Sequence, residues 1–354
     1  MECMGKRRKL RSVRIENFKS IADQTVELGD LTVLIGANGS GKSNFLGAFR
    51  LARAALDDRL PQYVADRGGA DRLLRHGRKH SDGISVDFKV DGPEPKSDAW
   101  WKLRLTPNDN DGFSIAEADE LWVAGDRLTG DAPRPVRPGV ISGLRAYHFD
   151  DTSPSAHVKR TAKVDDDLFL RSDGENIAAV LYLLERQYPD VLAVVESTIR
   201  MVAPFFGRFV LTPRPGAKQF IRLQWEEQGS EAYFGVSDLS DGTLRFICLA
   251  TLLLQPHPPP LIIIDEPELG LHPAAIHLLA SMLRSAAFDS QIIVATQSVT
   301  LVDEFTPEQI VSVDRYPADG ASVFRRHDSP SLAGWLEHYS LGELFEKNVL
   351  GGGP

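Results

Sequence analysis

The stretch "LTVLIGANGSGKSNFLGAFRLARAAL", Leu31 to Leu56, decides how the rest of the chain is read. A short apolar strand rich in Val and Ile runs into a glycine-bearing turn, and apolar positions then recur at helical spacing. Within it "GANGSGKS", Gly36 to Ser43, fits the pattern G-x-x-x-x-G-K-[ST] in the strand–turn–helix setting that pattern requires. Glycines let backbone N–H groups wrap a phosphate, and the helix start adds partial positive charge. Lys42 is expected to neutralise the β- and γ-phosphates of ATP, and the Ser43 hydroxyl to ligate Mg2+. Gly36, Asn38, Gly39, Ser40, Gly41 and Asn44 complete the expected cradle.

A second stretch, "LIIIDEPELGLHP" from Leu261 to Pro273, supplies what such a loop lacks. A continuous apolar strand ending in Asp265 presents a carboxylate suited to Mg2+, and Glu266 beside it is placed to polarise an attacking water. Around this pair the chain alternates strand, helix, strand, helix and strand, the pattern of a buried parallel sheet. Further upstream, "SDLSDGTLRF" (Ser237 to Phe246) puts Ser240 at a helix start, where a hydroxyl and free backbone donors make an anion site.

Composition narrows the class. With 42% hydrophobic and 25% charged residues among 354, the chain is an ordinary globular one with length enough for one large domain or two smaller ones. Two cysteines, Cys3 and Cys248, make no disulfide framework or metal site, which fits a reducing cytoplasm. The start is no signal peptide, and the longest apolar runs are too short for a bilayer, so no membrane partner is expected. A net charge of −9 argues against coating nucleic acid with the whole surface. Two local basic runs are still candidates for DNA contact: Lys6–Arg11 and Arg67–His80, the latter carrying Arg75, Arg78 and Lys79.

Between the two motif regions, "ISVDFKVDG", "AWWKLRLTP" and "ELWVAG" alternate like antiparallel strands. "GDAPRPVRPG" reads as a surface connection. Two helices follow, "ENIAAVLYLLERQ" and one beginning at an Asp190 cap, then a strand pair and the helix opened by Ser240. The tail "SLAGWLEHYSLGELFEKNVLGGGP" reads as one or two short helices with a flexible end.

Taken in order, "GANGSGKS", "LSDGT", "LIIIDEPE", "LGLHP" and "VATQS" resemble the phosphate loop, signature, Walker B strand, D-loop and switch strand of ABC-class ATPases of the SMC, RecF and OLD type. "RIENFKS" resembles the opening strand of such heads, which implies Lys19 and Ser20 near the phosphates. Stand-alone bacterial RecF/OLD-like ATPases also share "RGG", "YHFDDTSP" and "YSLGEL", so the resemblance covers essentially the whole chain. It implies an α/β head: a mixed or antiparallel N-terminal sheet, a mostly parallel core sheet flanked by helices, and a helical signature lobe. The implied division is 1–160 and 258–328 for the first lobe, 161–257 for the second, and 329–354 for the tail.

By the same resemblance Leu239, Ser240, Asp241 and Gly242 act in trans, capping the γ-phosphate held at a partner's Lys42, so that two ATP molecules join a homodimer. Three departures matter. Gln297 stands where many relatives have a histidine, and an amide can donate to a γ-phosphate but cannot carry its charge, so slow hydrolysis is expected. No glutamine occupies the Q-loop position; His148, Asp150, Asp151 and, less directly, Gln62 are the substitutes. Asp241 replaces the usual glycine and needs a basic partner or an outward course. His272 is read as a D-loop contact and His277 as a surface residue, not as zinc ligands. The stretch after Tyr316 is too short for the TOPRIM nuclease of OLD proteins, so nucleic-acid cleavage by this chain is not expected. The leading expectation is an Mg-dependent ATPase acting on DNA or a partner effector, in DNA maintenance or anti-phage defence. An assembly switch with little hydrolysis, controlling a separate nuclease or toxin, is the alternative, and a transporter ATPase subunit ranks behind both.

Overall fold

The computed structural model of the chain describes residues 8–91, 98–118, 122–123, 126–127, 140, 143–213, 216–230 and 232–353. Two compact units divide it, residues 1–146 with 305–354 and residues 147–304. The Walker B strand, the switch strand and the signature segment therefore share the second unit, where the sequence-based lobes had separated them.

In the first unit, β1 (Leu10–Phe18), β2 (Ile21–Glu27), β4 (Ile84–Asp91), β5 (Asp98–Pro107) and β6 (Phe113–Ala118) form an antiparallel sheet ordered β2-β1-β4-β5, with β6 also on β5. Alternation decides which face is buried. Along β5, Ala99, Trp101, Leu103 and Leu105 point inward, while the residues between them keep partial exposure. Strand β3 (Leu31–Ile35) is buried at every position and feeds helix α1 (Lys42–Leu56). Phe49 of α1 packs on Phe88 of β4, with ring centroids 5.3 Å apart, so the helix carrying Lys42 is seated on the antiparallel sheet.

The second unit holds α2 (Ile177–Gln187), α3 (Pro189–Val202), the signature helix α4 (Asp241–Leu254), β7 (Leu261–Asp265), α5 (Pro273–Ala286) and β8 (Gln291–Thr296). Strands β7 and β8 pair in parallel, Leu261 against Gln291 through Asp265 against Ala295, and every residue of both is buried. Such strands read as continuous apolar runs because both faces are covered. Asp190 is not the cap of α3: Pro189 opens the helix and Asp190 lies in its first turn. A ring fixed near the helical φ starts a helix without a side-chain cap. The strand pair expected after α3 is split. Phe206–Phe209 pairs with Gln224–Glu227, while Phe220–Ile221 pairs with Ala162–Lys163.

The chain returns to the first unit with β9 (Ile310–Arg315), parallel to β3, β10 (Ser322–Arg326), antiparallel to β9, and the short helix α6 (Leu341–Glu346). Phe45 of α1 meets Phe324 of β10 at 5.2 Å, a second anchor for the helix. The tail does not end as a flexible segment. Leu350 is fully buried and Gly352 is hydrogen-bonded at both its N–H and its carbonyl. The connection "GDAPRPVRPG", Cys3, Lys6 and Arg7 lie outside the described residues. No helix among the described residues is long and apolar enough to cross a membrane.

The basic runs are partly consumed by the fold. Arg75 is buried; its Nη1 donates to Ser20 O at 3.0 Å and its Nη2 to Asp319 Oδ2 at 2.9 Å and Asp319 O at 3.1 Å. Arg78 bonds Asn108 O and Asp111, Lys9 pairs with Asp30, and Arg11 with Asp91. Arg75 is therefore withdrawn from the cationic surface of the Arg67–His80 run, where it ties the β1–β2 turn to the β9–β10 loop, while Arg67, Arg72 and Lys79 stay exposed. Replacing Arg75 by Ala is expected to lower unfolding free energy in urea by roughly 2–3 kcal/mol, since buried carbonyls lose a charged donor. The exposed Lys79→Ala is expected to stay within about 0.5 kcal/mol. Equal, small losses at both positions would sink this structural role for Arg75.

Candidate functional site

The phosphate loop lies in the first unit. Helix α1 is capped by Gly41, which sits at φ +121° with no side-chain cap, and no acidic residue follows in the first turn. The earliest intrahelical donor is Phe45 N, bonded to Gly41 O, so the first turn of α1 directs its N–H groups toward the glycine loop. A helix start left uncapped by its own side chains is an anion site. Glycine is obligatory at two positions. A Cβ on Gly36 would come 2.6 Å from Val313 O, and one on Gly41 2.0 Å from Ser322 Oγ.

Two hydroxyls, an amide and a guanidinium shape this loop. Ser322 Oγ donates to Ser40 O at 2.6 Å and lies 2.6 Å from Ser20 Oγ, which also accepts from Asn44 Nδ2 at 2.7 Å. Arg315 Nε donates to Gly39 O at 2.8 Å. Ser20 is thus joined to the start of α1 through Asn44. Lys19, at φ +50° and half-buried, has its amine pushed below the ordinary lysine value by burial and by Arg67 and Arg50. Lys42 Nζ donates to Gly36 O and to Ala37 O, the latter at 3.1 Å. Asn38, Gly39 and Ser43 are exposed. Uncapped N–H groups, an ammonium resting on loop carbonyls, and an open Ser43 hydroxyl fit a triphosphate with Mg2+.

The second unit carries the acidic half. Asp265 is buried at the end of β7, and Glu266 follows at φ +46°, a left-handed conformation that costs a non-glycine residue energy. Its N–H is pinned by Ala295 O at 2.8 Å. Gln297 Nε2 donates to Glu266 Oε1 at 3.2 Å, so the switch-strand amide orients this carboxylate. Glu268 is buried beside them and accepts from the Thr296 hydroxyl. Burial pushes its carboxyl above the ordinary value, with Glu266 adding in the same direction.

Ser240 caps α4, its Oγ accepting from Thr243 N at 3.2 Å and lying 2.8 Å from Thr243 Oγ1. Leu239 is buried before it. Gly242 lies against the D-loop: a Cβ there would come 2.3 Å from Gly270 O. Asp241 is exposed, and Lys159 lies 4.0 Å from it, the basic partner its position calls for. Sequence reasoning missed Arg245, one helical turn from Asp241. It donates to Phe149 O (2.9 Å), Asp150 O (2.6 Å) and Leu269 O (2.8 Å), joining the signature helix to the "YHFDD" loop and to the D-loop. Arg315 and Ser322 were missed as well, since a single Arg or Ser on a strand carries no motif.

A cavity of about 270 Å³ is lined by His148, Asp150, Arg245, Asp265 and Glu266 together with apolar residues. This separates the Q-loop candidates. His148 Nε2 and Asp150 Oδ2, 3.1 Å apart, line this cavity with Asp265 and Glu266, whereas Asp151, exposed like them, is not among its lining residues and accepts from Ser153 N. Gln62 is exposed and donates to Asp66 one turn along its own helix. His272 caps α5, its Nδ1 accepting from Ala274 N, and His277 pairs at the surface with Glu304.

The family described as "AAA domain, putative AbiEii toxin, Type IV TA system" matches residues 31–303. The chain is 24% identical to an OLD nuclease of Thermus scotoductus over a 372-residue alignment, which covers 95% of this chain and 68% of that protein. A shorter match, 34% identical over 112 residues, is to Nod factor export ATP-binding protein I of Rhizobium johnstonii, covering 30% of this chain and 34% of that one. Among solved structures, an Smc head bound to the C-winged helix domain of ScpA superposes with a TM-score of 0.63 at 17% identity, over 91% of this chain and 99% of that chain. An Smc head with coiled coil and joint from Pyrococcus yayanosii gives 0.61 at 13%, over 93% and 99%. Likeness at those identities shows the fold, and it is the α/β head the sequence pointed to.

Glu268 offers a test of this geometry by pH. Its folded value is raised, so its contribution to stability is complete below the ordinary value of 4.5 and is lost as pH climbs through the folded value. Glu268→Gln, which cannot ionise, is expected to gain stability over wild type progressively as pH rises from the ordinary value toward the raised folded one, and to hold that gain above it. Denaturation curves taken across this range check it, and a difference independent of pH would refute it.

Proposed function

The chain belongs to that AAA-domain family and is a RecF/SMC/OLD-like ATPase, and we propose that it binds and hydrolyses Mg-ATP as a dimer closed by its signature segments. The observation that carries this reading is the second unit, where Asp265, Glu266, Gln297 and the Ser240 helix are fixed to one another through Arg245 and the Gly242–Gly270 contact. Lys42 and the N–H groups at the start of α1 would hold the β- and γ-phosphates, and Ser43, in the first unit, and Asp265, in the second, are the oxygens that would serve Mg2+. That ion neutralises phosphate charge when bound. Glu266 orients the attacking water and takes its proton as the bond from γ-phosphorus to the bridging oxygen breaks and ADP leaves. Asp150 and His148, facing the same cavity, take the place of the Q-loop glutamine.

Ser240 and the Gly242 N–H serve a γ-phosphate bound to the partner subunit, which makes ATP the joint between two copies and hydrolysis its release. The dimer then acts on DNA or on a separate effector protein, in DNA maintenance or anti-phage defence. Engagement of Arg75, Arg78, Lys9 and Arg11 by internal partners favours the effector. A second reading, an assembly switch with little turnover, is supported by the Gln297 amide, which occupies Glu266 and brings no positive charge to the γ-phosphate.

Glu266→Gln is expected to lower turnover by at least about a hundredfold while keeping ATP bound, because only the base is lost. In that background, light scattering with Mg-ATP is expected to give twice the monomer mass, and Ser240→Arg to return it to one. A mass that ignores ATP, or a dimer indifferent to Ser240→Arg, would reduce the signature to a helix cap.

A further inference from the structure

Residues 349–353 leave helix α6 and fold back onto the phosphate loop within the first unit. Val349 N donates to Leu344 O at 2.9 Å, and Leu350 is fully buried. The chain then turns through Gly351 and Gly352, both at φ +76°. The Gly352 N–H donates to Asp314 Oδ1 at 2.5 Å, and the Gly352 carbonyl accepts from Ala37 N at 2.5 Å. Left-handed backbone calls for glycine at 351 and 352, and all three glycines are closely approached. A Cβ on Gly351 would come 2.5 Å from Asp314 Oδ2, one on Gly352 3.0 Å from Gly36 Cα and 3.1 Å from Ile35 O, and one on Gly353 2.7 Å from Asn348 Cγ.

The bond to Ala37 matters because of what shares its peptide plane. The Gly36–Ala37 peptide offers its N–H to Gly352 and its C=O to the Lys42 ammonium. A planar peptide cannot turn one group without the other. Gly352 therefore sets the direction of the carbonyl on which Lys42 rests. Ala37 O accepts from Ser40 N at 3.2 Å and from Lys42 Nζ at 3.1 Å, so the same strut steadies the next link of the loop. The segment takes the N–H of Ala37, which precedes the first turn of α1, and leaves the N–H groups of that turn where they are.

We infer that residues 349–353 are a built part of the phosphate-binding site, with Gly352 a positioning residue that braces the Gly36–Ala37 peptide for the phosphate tail of a nucleoside di- or triphosphate. This rests on the nucleotide-binding reading of the loop. Because the brace acts on the loop and not on the γ-phosphate, it affects ATP and ADP alike.

The test is titration of the full chain with Mg-ATP and with Mg-ADP, by calorimetry, for wild type, Gly352→Val, Gly352→Ala and Asp314→Asn. Asn348→Ala is the control, since it disturbs the same segment at Gly353 without touching the loop. Melting curves without nucleotide show which variants are folded, and Gly352→Ala and Asp314→Asn decide the matter if Gly352→Val is not. The expected result is affinity about tenfold weaker for both nucleotides in the Gly352 variants, the scale of one lost buried hydrogen bond, with Asp314→Asn weaker in the same sense and Asn348→Ala unchanged. Wild-type affinity in folded Gly352 variants overturns the brace, and so does equal weakening by Asn348→Ala. Tighter binding overturns it in favour of a plug. If wild type binds neither nucleotide, the premise fails by itself, whatever the variants do.

Discussion

Close approach at glycine, by main chain or by one serine side chain, with no room for a Cβ, is the constraint on which this molecule turns. Gly36 lies where any Cβ would strike Val313 O, Gly41 where it would strike Ser322 Oγ, and Gly242 where it would strike Gly270 O. Around the first two, main-chain donors are concentrated where a phosphate can reach them. Around the third, the signature helix and the D-loop are locked together. A methyl group at any of these sites displaces a main-chain or hydroxyl oxygen, and main chain is what sets the geometry of a site made largely of N–H and C=O groups.

The two helix starts in question are built in opposite ways. Helix α1 begins at a glycine with no capping side chain and no acid in its first turn, so its field is available to a ligand. Helix α4 begins at Ser240, whose hydroxyl caps Thr243 N, and carries Asp241 in its first turn. The first is arranged to hold charge by itself. The second has satisfied part of its own donor set, which suits a surface that meets a phosphate only when another molecule presents one.

Much of this was legible in residue order. "GANGSGKS" after an apolar strand, "LIIIDEPE", and Ser240 before an apolar helix each carry a local pattern tied to a conformation, and each folded accordingly. Arg75, Arg245, Arg315 and Ser322 were not legible. Their partners are carbonyls and carboxylates that chain folding alone brings near: Arg245 reaches Asp150 across 95 positions, and Ser322 reaches Ser40 across 282. Within the cationic run Arg67–His80, the burial of Arg75 was not legible for the same reason, since nothing local announced that Asp319 and Ser20 O would enclose it.

The sequence by itself determined the fold class, the phosphate loop, the acidic pair at the end of a buried strand, and the position of the signature, because each depends on spacing within a few residues. Tertiary structure decided the rest. It put Asp150 and His148, and not Asp151 or Gln62, on the cavity beside Asp265 and Glu266, set the Gln297 amide against Glu266, and folded the glycine tail back so that Gly352 O accepts from Ala37 N. These depend on distances between segments far apart in the chain, and one polar atom's partner is settled only when packing has brought it within about 3 Å.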